Sequence, residues 1–76
     1  MKMEDNSVRD WLVQEIVRVR QEENMTQAEL AKKIGIQQSN VSRLERGRSN
    51  PSIEFLERVA KGLGRKLKIE FIKDDD

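Results

Sequence analysis

The segment between residues 26 and 48, TQAELAKKIGIQQSNVSRLERGR, constrains the fold more than any other part of the sequence. It opens with Thr26 and Glu29, whose T-x-x-E spacing is that of a capping box and predicts a helix start. Gly35 follows the apolar pattern of that helix, and a glycine tolerates the positive φ of a sharp turn. The segment therefore predicts a helix, a tight turn and a second helix.

The apolar residues of this segment indicate how the two helices pack together. Leu30, Ala31 and Ile34 form the apolar stripe of the first helix, and Val41 and Leu44 form that of the second. The small side chain at position 31 stands where a larger one would push two crossing helices apart. We therefore expect the two helices to cross closely.

Polar side chains occupy the leading face of the second helix. They offer amide, hydroxyl and guanidinium groups, at Gln37, Gln38, Ser39, Asn40, Ser42 and Arg43. Two tightly joined helices with such a face suit the major groove of DNA. Residues 26–50 also carry five Lys or Arg against two Asp or Glu, an excess that favours DNA through counterion release. Because charged residues are common in small helical proteins, the charge supports this interpretation but would not establish it alone.

The order and spacing of these residues resemble the TQxELAxxxGxxxxxVSxxExG pattern of the Xre family, the phage-repressor/Cro type of helix-turn-helix protein. The resemblance extends from about Val8 to Leu63, which is most of the chain. It implies a mainly α, lambda-repressor-like domain of four or five helices that binds DNA.

Two residues at the start of the second helix are the leading candidates for reading bases. Gln38 can bond adenine bidentately and Ser39 can donate or accept, and the matching family positions face base edges. Arg43, one turn along from Ser39, is placed to reach a guanine or a phosphate. The resemblance also implies that Gln27, at the start of the preceding helix, holds a backbone phosphate. Asn40, Ser42 and Arg48 are expected phosphate contacts.

Three positions have other interpretations. Gln37 either contacts DNA or only caps the second helix. In the family, an arginine late in the first helix often pairs with the glutamate that precedes the glycine stop. Arg20 and Glu45 match those positions, so the resemblance implies a structural ion pair between them and no DNA contact.

Helical spacing also predicts one helix on each side of this pair. The first runs from about Ser7, a candidate cap, to Glu23, with Asn24 as a left-handed terminator. The last begins after the candidate cap Ser52, and Gly62 and Gly64 are expected to stop it. Their core-facing positions are Val8, Leu12, Ile16 and Val19 in the first helix and Ile53, Leu56, Val59, Ala60 and Leu63 in the last.

Residues 66–72, KLKIEFI, change to an alternation of charged and apolar residues, which predicts a half-buried strand. Nothing else in the chain predicts a strand that could pair with it, so we expect pairing with the same strand of a second copy. Leu67, Ile69 and Phe71 would then form the dimerisation face. The LGRKLKIEFI ending resembles antitoxins of the HigA and HipB kinds. The alternative is a frayed tail.

The sequence thus divides into residues 1–65, a DNA-binding domain, and residues 66–76, a dimerisation strand with an acidic tail. Asp74–Asp76 is interpreted as a solvated run or as a mask for a basic surface. The chain has no cysteine and no histidine, and its carboxylates form no evident acid–base pair. We therefore expect neither an enzyme nor a metal or other cofactor. The sequence has no apolar run of membrane-spanning length and no signal peptide, so a cytoplasmic protein is expected.

Three functions remain open at this point. The first is a repressor that binds a palindromic operator on double-stranded DNA as a homodimer. The second, which overlaps it, is the antitoxin of a type II toxin–antitoxin pair, with a toxin protein as a further partner. The third is a protein-interaction adaptor on the same fold, against which the polar face of the second helix argues. RNA binding is weaker, because the chain lacks surface aromatics spaced for base stacking.

Overall fold

The structure is a computed structural model that describes residues 7–75. Within that range it contains four α-helices: α1 (Ser7–Glu22), α2 (Gln27–Ile34), α3 (Gln38–Glu45) and α4 (Ile53–Gly62). The mainly α fold predicted from the sequence is confirmed, with four helices. The predicted cap at Ser7 lies outside the described side chains.

The capping box that begins α2 is present. The Thr26 hydroxyl accepts from the Glu29 backbone N–H at 3.0 Å, and the Glu29 carboxylate accepts from the Thr26 N–H at 2.8 Å. At the other end Gly35 adopts a left-handed φ of 76°. Since both signals are local, the sequence placed both ends of α2 correctly.

The other helix ends follow local signals in the same way. Asn24 has a φ of 53° just after α1, which ends one residue earlier than expected, at Glu22. The Ser52 hydroxyl accepts from the Phe55 N–H at 3.0 Å and caps α4. These caps fix the lengths of the connections, and the connections set how the helices cross.

The core lies where α2 packs against α3 and α4 and where α1 packs against α3. Its largest fully buried side chains, Leu30, Val41 and Val59, come from three different helices. Ala31 is also buried, as a close crossing requires. The remaining buried residues are Ile16, Val19, Ile34, Leu44 and Leu63. This shared core holds α2 and α3 in a fixed relation to each other.

Two apolar positions that were expected to face the core do not. Val8 is 81% exposed and Ile53 is 52% exposed. Each belongs to the first turn of its helix, and α1 is packed against the core only from Leu12 onward. Helical spacing gives the direction of a side chain, but it does not show where the neighbouring helices end.

Residues 65–75 form neither a helix nor a strand in this single copy. Lys68 Nζ lies 3.1 Å from a Glu70 carboxylate oxygen, so these two side chains share a side of the backbone. Residues two apart share a side in an extended chain and not in a helix. The predicted strand therefore stays a prediction, since a strand ladder needs a second strand.

Arg65 ties the start of this C-terminal segment to the end of α1. Its guanidinium lies 3.0 Å from the Glu23 carboxylate and 3.5 Å from that of Glu22. These contacts are solvent-exposed, so they orient the chain more than they stabilise it.

Gly62 has a packing role that the sequence did not predict. It was expected to stop α4, and α4 does end there, but the left-handed residue is Gly64, with a φ of 72°. Gly62 itself is buried, and a Cβ added there would lie 2.4 Å from Ile34 Cγ2. The absence of a side chain therefore lets α4 approach α2 closely.

The variant Gly62→Ala tests this close approach. We expect it to lower the free energy of unfolding by about 1–3 kcal/mol, measured by urea denaturation, because the methyl group overpacks the α2–α4 contact. Ile34→Leu removes the opposing β-methyl group and should recover part of that loss. Gly64→Ala is the matched control, because nothing lies within 4 Å of its added Cβ and only backbone strain applies. Additivity of Ile34→Leu with Gly62→Ala would contradict the proposed contact.

Candidate nucleic-acid interface

Helix α3 has a buried side and an exposed side. Val41 and Leu44 are buried in the core, whereas Gln38, Ser39 and Arg43 are exposed. Ser39 and Arg43 are four residues apart and therefore share one face of α3, and Gln38 is exposed in the first turn next to Ser39. The structure therefore leaves both predicted base readers and their nearest arginine accessible on the exposed side of α3.

Gln37 occupies the position just before α3, with an extended backbone (φ −73°, ψ 144°). Its side chain makes no capping hydrogen bond, and the Asn40 N–H is instead accepted by the Gln37 backbone carbonyl at 3.0 Å. The side chains of both residues are exposed. Gln37 therefore occupies the cap position of α3, as one of the two interpretations expects, but its side chain makes no capping hydrogen bond.

Arg46 is a member of this surface that the sequence reasoning missed. Its Nη2 donates to the Ser42 hydroxyl at 2.6 Å, across one turn of helix. The i, i+4 spacing of a hydroxyl and an arginine was the available signal. The contact leaves the Ser42 hydroxyl hydrogen free to donate, so the two side chains form one polar unit.

The ion pair expected between Arg20 and Glu45 is present. Arg20 Nε donates to Glu45 Oε2 at 2.6 Å and Nη2 donates to Oε1 at 2.9 Å, so the pair is bidentate. The side chains are only 13% and 6% exposed. Arg20 Nη1 also donates to the Met25 carbonyl at 2.8 Å, in the turn before α2. One guanidinium thus ties α1 to α3 and to the α1–α2 turn.

Gln27 joins the same network. Its side-chain Nε2 donates to Glu45 Oε1 at 2.8 Å. Fewer groups at Gln27 are therefore free to bind a phosphate than the sequence implied. Those that remain are the second amide hydrogen of its side chain and the backbone N–H groups in the first turn of α2 that have no partner within the helix. The carboxylate of Glu45 sets the orientation of this side chain.

Hydrogen bonding to Glu45 raises the pKa of Arg20 above its ordinary value, although partial burial opposes this effect. The guanidinium consequently keeps its positive charge. The link between α1 and α3 is therefore a charge-assisted, bidentate hydrogen bond.

The charges around α3 follow from this arrangement. Glu45 is the only acidic residue between positions 30 and 53, and its carboxylate is turned inward. The three arginines in or just after α3, Arg43, Arg46 and Arg48, are all exposed. The surface around the polar face of α3 is therefore positively charged with no exposed carboxylate from this stretch.

A second contact that the sequence does not predict holds the loop after α3. Arg9 Nη2 donates to the Asn50 side-chain oxygen at 3.2 Å and links the start of α1 to this loop. Arg48 lies in the loop, and its backbone N–H donates to the Arg43 carbonyl at 3.0 Å. No local pattern predicts a contact between residues so far apart in sequence.

Two other kinds of site were sought in the part of the chain that the structure describes. No group of three or more His, Cys, Asp or Glu residues is placed to hold a metal ion there. None of the described helices is long and apolar enough to cross a membrane.

Comparison with known proteins agrees with the geometry of this surface. A family model described as "Helix-turn-helix" matches residues 16–69, a span that contains α2 and α3 and most of the core. The chain belongs to this helix-turn-helix family of transcriptional regulators, which includes repressors and whose members are not enzymes.

Three similar proteins illustrate the match. An uncharacterized HTH-type transcriptional regulator of Methanocaldococcus jannaschii is 38% identical over 53 residues, 70% of this chain and 80% of the relative. The immunity repressor protein of Bacillus phage phi105 is 43% identical over 67% of this chain, but that match covers only 35% of the repressor. A chain of the HipA-HipB-O2-O3 complex is 29% identical, with a TM-score of 0.74 over 96% of this chain and 99% of that chain.

A double-mutant cycle at Arg20 and Glu45 tests the network. We expect each single change to an apolar residue, Arg20→Met or Glu45→Met, to cost about 3–5 kcal/mol in urea unfolding, because it leaves the other charge largely buried and unpaired. The double variant should cost less than the sum of the two singles. Arg18→Met is the matched control, since Arg18 forms only exposed ion pairs within α1 and should change stability little. Strictly additive losses at positions 20 and 45 would mean that the two residues do not interact.

Proposed function

We propose that this chain is a sequence-specific repressor that binds a palindromic DNA operator as a homodimer. The observation that carries the proposal is the surface around α3, where exposed amides, hydroxyls and arginines are gathered while the one nearby carboxylate, Glu45, faces inward. A phosphate backbone approaching this surface meets cations and no exposed acid from residues 30–53. A DNA-binding regulator of this kind is expected in the cytoplasm.

The base contacts are assigned to the first turns of α3. Gln38 can bond N6 and N7 of an adenine, and Ser39 can bond either type of base edge. Arg43 lies one turn further on the same exposed face and can reach a guanine or a phosphate. Gln37 precedes them with a side chain that is free of the capping role.

The phosphate contacts are assigned to groups that surround this face. Gln27 stands at the positive end of α2, where backbone N–H groups favour an anion. Arg46 and Ser42 act as one unit, because the arginine is held on the hydroxyl. Asn40 and Arg48 complete the set. Such contacts fix the position of the protein on DNA and carry no sequence information themselves.

Residues 66–72 are proposed to pair antiparallel with the same segment of a second copy. Centring the pairing on Ile69 sets Lys68 opposite Glu70 of the partner subunit and Leu67 opposite Phe71 of the partner subunit. Centring on Lys68 or on Glu70 would instead set a charge against its own copy. Like charges directly opposite are unfavourable, whereas opposite charges and apolar pairs each contribute about 0.2–1 kcal/mol. The Ile69 register is therefore favoured, with residues 1–65 as the DNA-binding unit.

An antitoxin role is a second candidate, and it is compatible with the first. It is favoured by the similarity to a chain of the HipA-HipB-O2-O3 complex, which extends over 96% of this chain and so is not confined to the helix-turn-helix. A cognate toxin protein would then be a further partner. Co-purification with a co-encoded protein would separate an antitoxin from a simple repressor. An adaptor without DNA binding remains the alternative function, and it leaves the exposed polar face of α3 unexplained.

Selection of bound sequences from a random DNA pool tests base reading. Gln38→Ala should lower operator affinity by about 1–3 kcal/mol and relax the preference at one position of each half-site. Gln27→Ala should weaken binding to all sequences about equally, because its contact is to the backbone. Gln14→Ala, an exposed change on α1, is the matched control and should leave binding unchanged. An unaltered consensus with Gln38→Ala would contradict its base-reading role.

Removal of residues 66–76 tests the dimer strand. Analytical ultracentrifugation should show a monomer or a much weaker dimer, and operator affinity should fall because the half-sites, with centres about 34 Å apart, are no longer read together. In the full chain, Lys68→Glu should weaken the dimer by placing like charges opposite each other, and adding Glu70→Lys should restore it. An unchanged dimer constant in the truncated chain would show that the strand is not the interface.

A further inference from the structure

A basic groove lies between the end of α2 and the end of α4, and none of its lining residues belongs to α3. We name it the α2–α4 groove and define it by its lining residues: Lys33, Ile34, Arg58, Lys61 and Gly62. Three of these are cations, and the floor is apolar because Gly62 lies against Ile34. The DNA contacts assigned to α3 use none of these residues.

The three cations of the α2–α4 groove form no ion pair with a carboxylate of the described residues, although each follows a glutamate of its own helix by four residues. Arg58 Nη2 donates to the Ile34 carbonyl at 2.5 Å, which fixes the guanidinium over the end of α2 but leaves its charge unmatched. Neither Lys33 nor Lys61 takes part in an ion pair within residues 7–75. Three positive charges side by side repel one another and favour an anionic occupant.

The strand register proposed above brings an acidic segment to this place. When Ile69 of one copy faces Ile69 of the other, Ile72 of the partner subunit lies opposite Lys66. Lys66 is the first residue of the pairing segment after the turn that follows α4. The next residues of the partner subunit are Lys73 and then Asp74–Asp76. In this register they lie beside the turn at Gly64 that joins residues 66–72 to α4, and the last turn of α4 carries Lys61 and Gly62 of the groove.

We propose that the acidic tail of one copy, Asp74–Asp76, docks in the α2–α4 groove of the other copy. The inference rests on the proposed strand-paired dimer and specifies a second contact within it. Because of the two-fold symmetry, the contact forms twice and flanks the paired strands on both sides.

The distances allow this contact. Three residues of extended chain span about 10 Å, and one turn of helix spans about 5.4 Å. The three-residue tail is therefore longer than the last turn of α4, which contains Lys61. Arg65, which lies along the route, is already paired with Glu22 and Glu23, whereas Lys66 and the cations of the groove form no ion pair within the described residues.

Site-specific cross-linking tests the proposal, because the chain has no native cysteine and each introduced thiol is unique. Full-length Lys61→Cys and Asp75→Cys chains of different mass are mixed and oxidised. We expect a disulfide between the two chains. Lys32→Cys is the matched control, since Lys32 is an exposed lysine of α2 that does not line the groove, and it should cross-link far more slowly. Ile69→Cys reports separately on strand pairing, because it should cross-link to itself across the two-fold axis.

The outcomes separate the tail contact from the dimer. If Ile69→Cys cross-links to itself but Lys61→Cys does not cross-link preferentially to Asp75→Cys, the docking is overturned and the strand dimer stands. Absence of both would overturn the dimer and the docking together. A monomeric disulfide formed within one chain that carries both cysteines, with none between chains, would show that the tail folds back on its own copy and would also overturn the proposal.

Charge changes give an equilibrium test in the full chain. Neutralising the tail by the changes Asp74→Asn, Asp75→Asn and Asp76→Asn should weaken the dimer about three- to tenfold at low salt, as expected for a few exposed ion pairs. The loss should vanish at high salt. Lys33→Glu with Lys61→Glu should weaken the dimer similarly, and Lys32→Glu should not. A dimer constant that the tail changes leave unaltered at low salt would overturn the proposal.

Discussion

The bidentate pair between Arg20 and Glu45 is the interaction on which the rest of the candidate DNA-binding surface depends. It ties α1 to α3, reaches the turn before α2 through the Met25 carbonyl, and orients Gln27 at the start of α2. It also removes the one carboxylate of residues 30–53 from the surface. A single buried carboxylate thus holds three elements in place and leaves the surrounding surface positive. Because a buried ion pair offers little net stability compared with apolar packing, its effect here is chiefly on geometry and charge.

Much of the fold could be predicted because its signals are local. Thr26 with Glu29 fixed the start of α2, and Gly35 fixed its end, each by hydrogen bonds or backbone freedom within a few residues. Val8 was wrongly expected in the core because its exposure depends on how far the other helices extend. The sequence indicates only that Gly62 stops the helix. Its packing role could not be predicted, because that role depends on Ile34, which belongs to a different helix.

The candidate site likewise combines features that local patterns predict with features that depend on how the helices pack. The polar face of α3 follows from helical spacing, so its members could be named from the sequence. The engagement of Gln27 with Glu45 could not, because it requires the crossing of α2 and α3 to be known. The contact between Arg46 and Ser42 was within reach, since the two residues are one turn apart on one helix. Local periodicity identifies which side chains share a face, and only the packed structure shows which of them are already occupied.

In the proposed strand-paired dimer, the exposed C-terminal segment would link oligomeric state to DNA binding. Ile69 is 57% exposed and Phe71 is 99% exposed in the single copy, so each has apolar surface to bury. Burying such a side chain contributes about 1.5–3 kcal/mol. Four of them, two from each copy, are comparable with the cost of association, which is about 4–15 kcal/mol. The strand alone would therefore give a dimer of modest affinity, and a contact such as the docked acidic tail would matter to it. In the proposed function, a palindromic operator would bind the dimer in preference to the monomer and draw the equilibrium further toward it. Occupancy of the operator should consequently rise steeply with the concentration of the protein, as suits a regulator that responds to its own abundance.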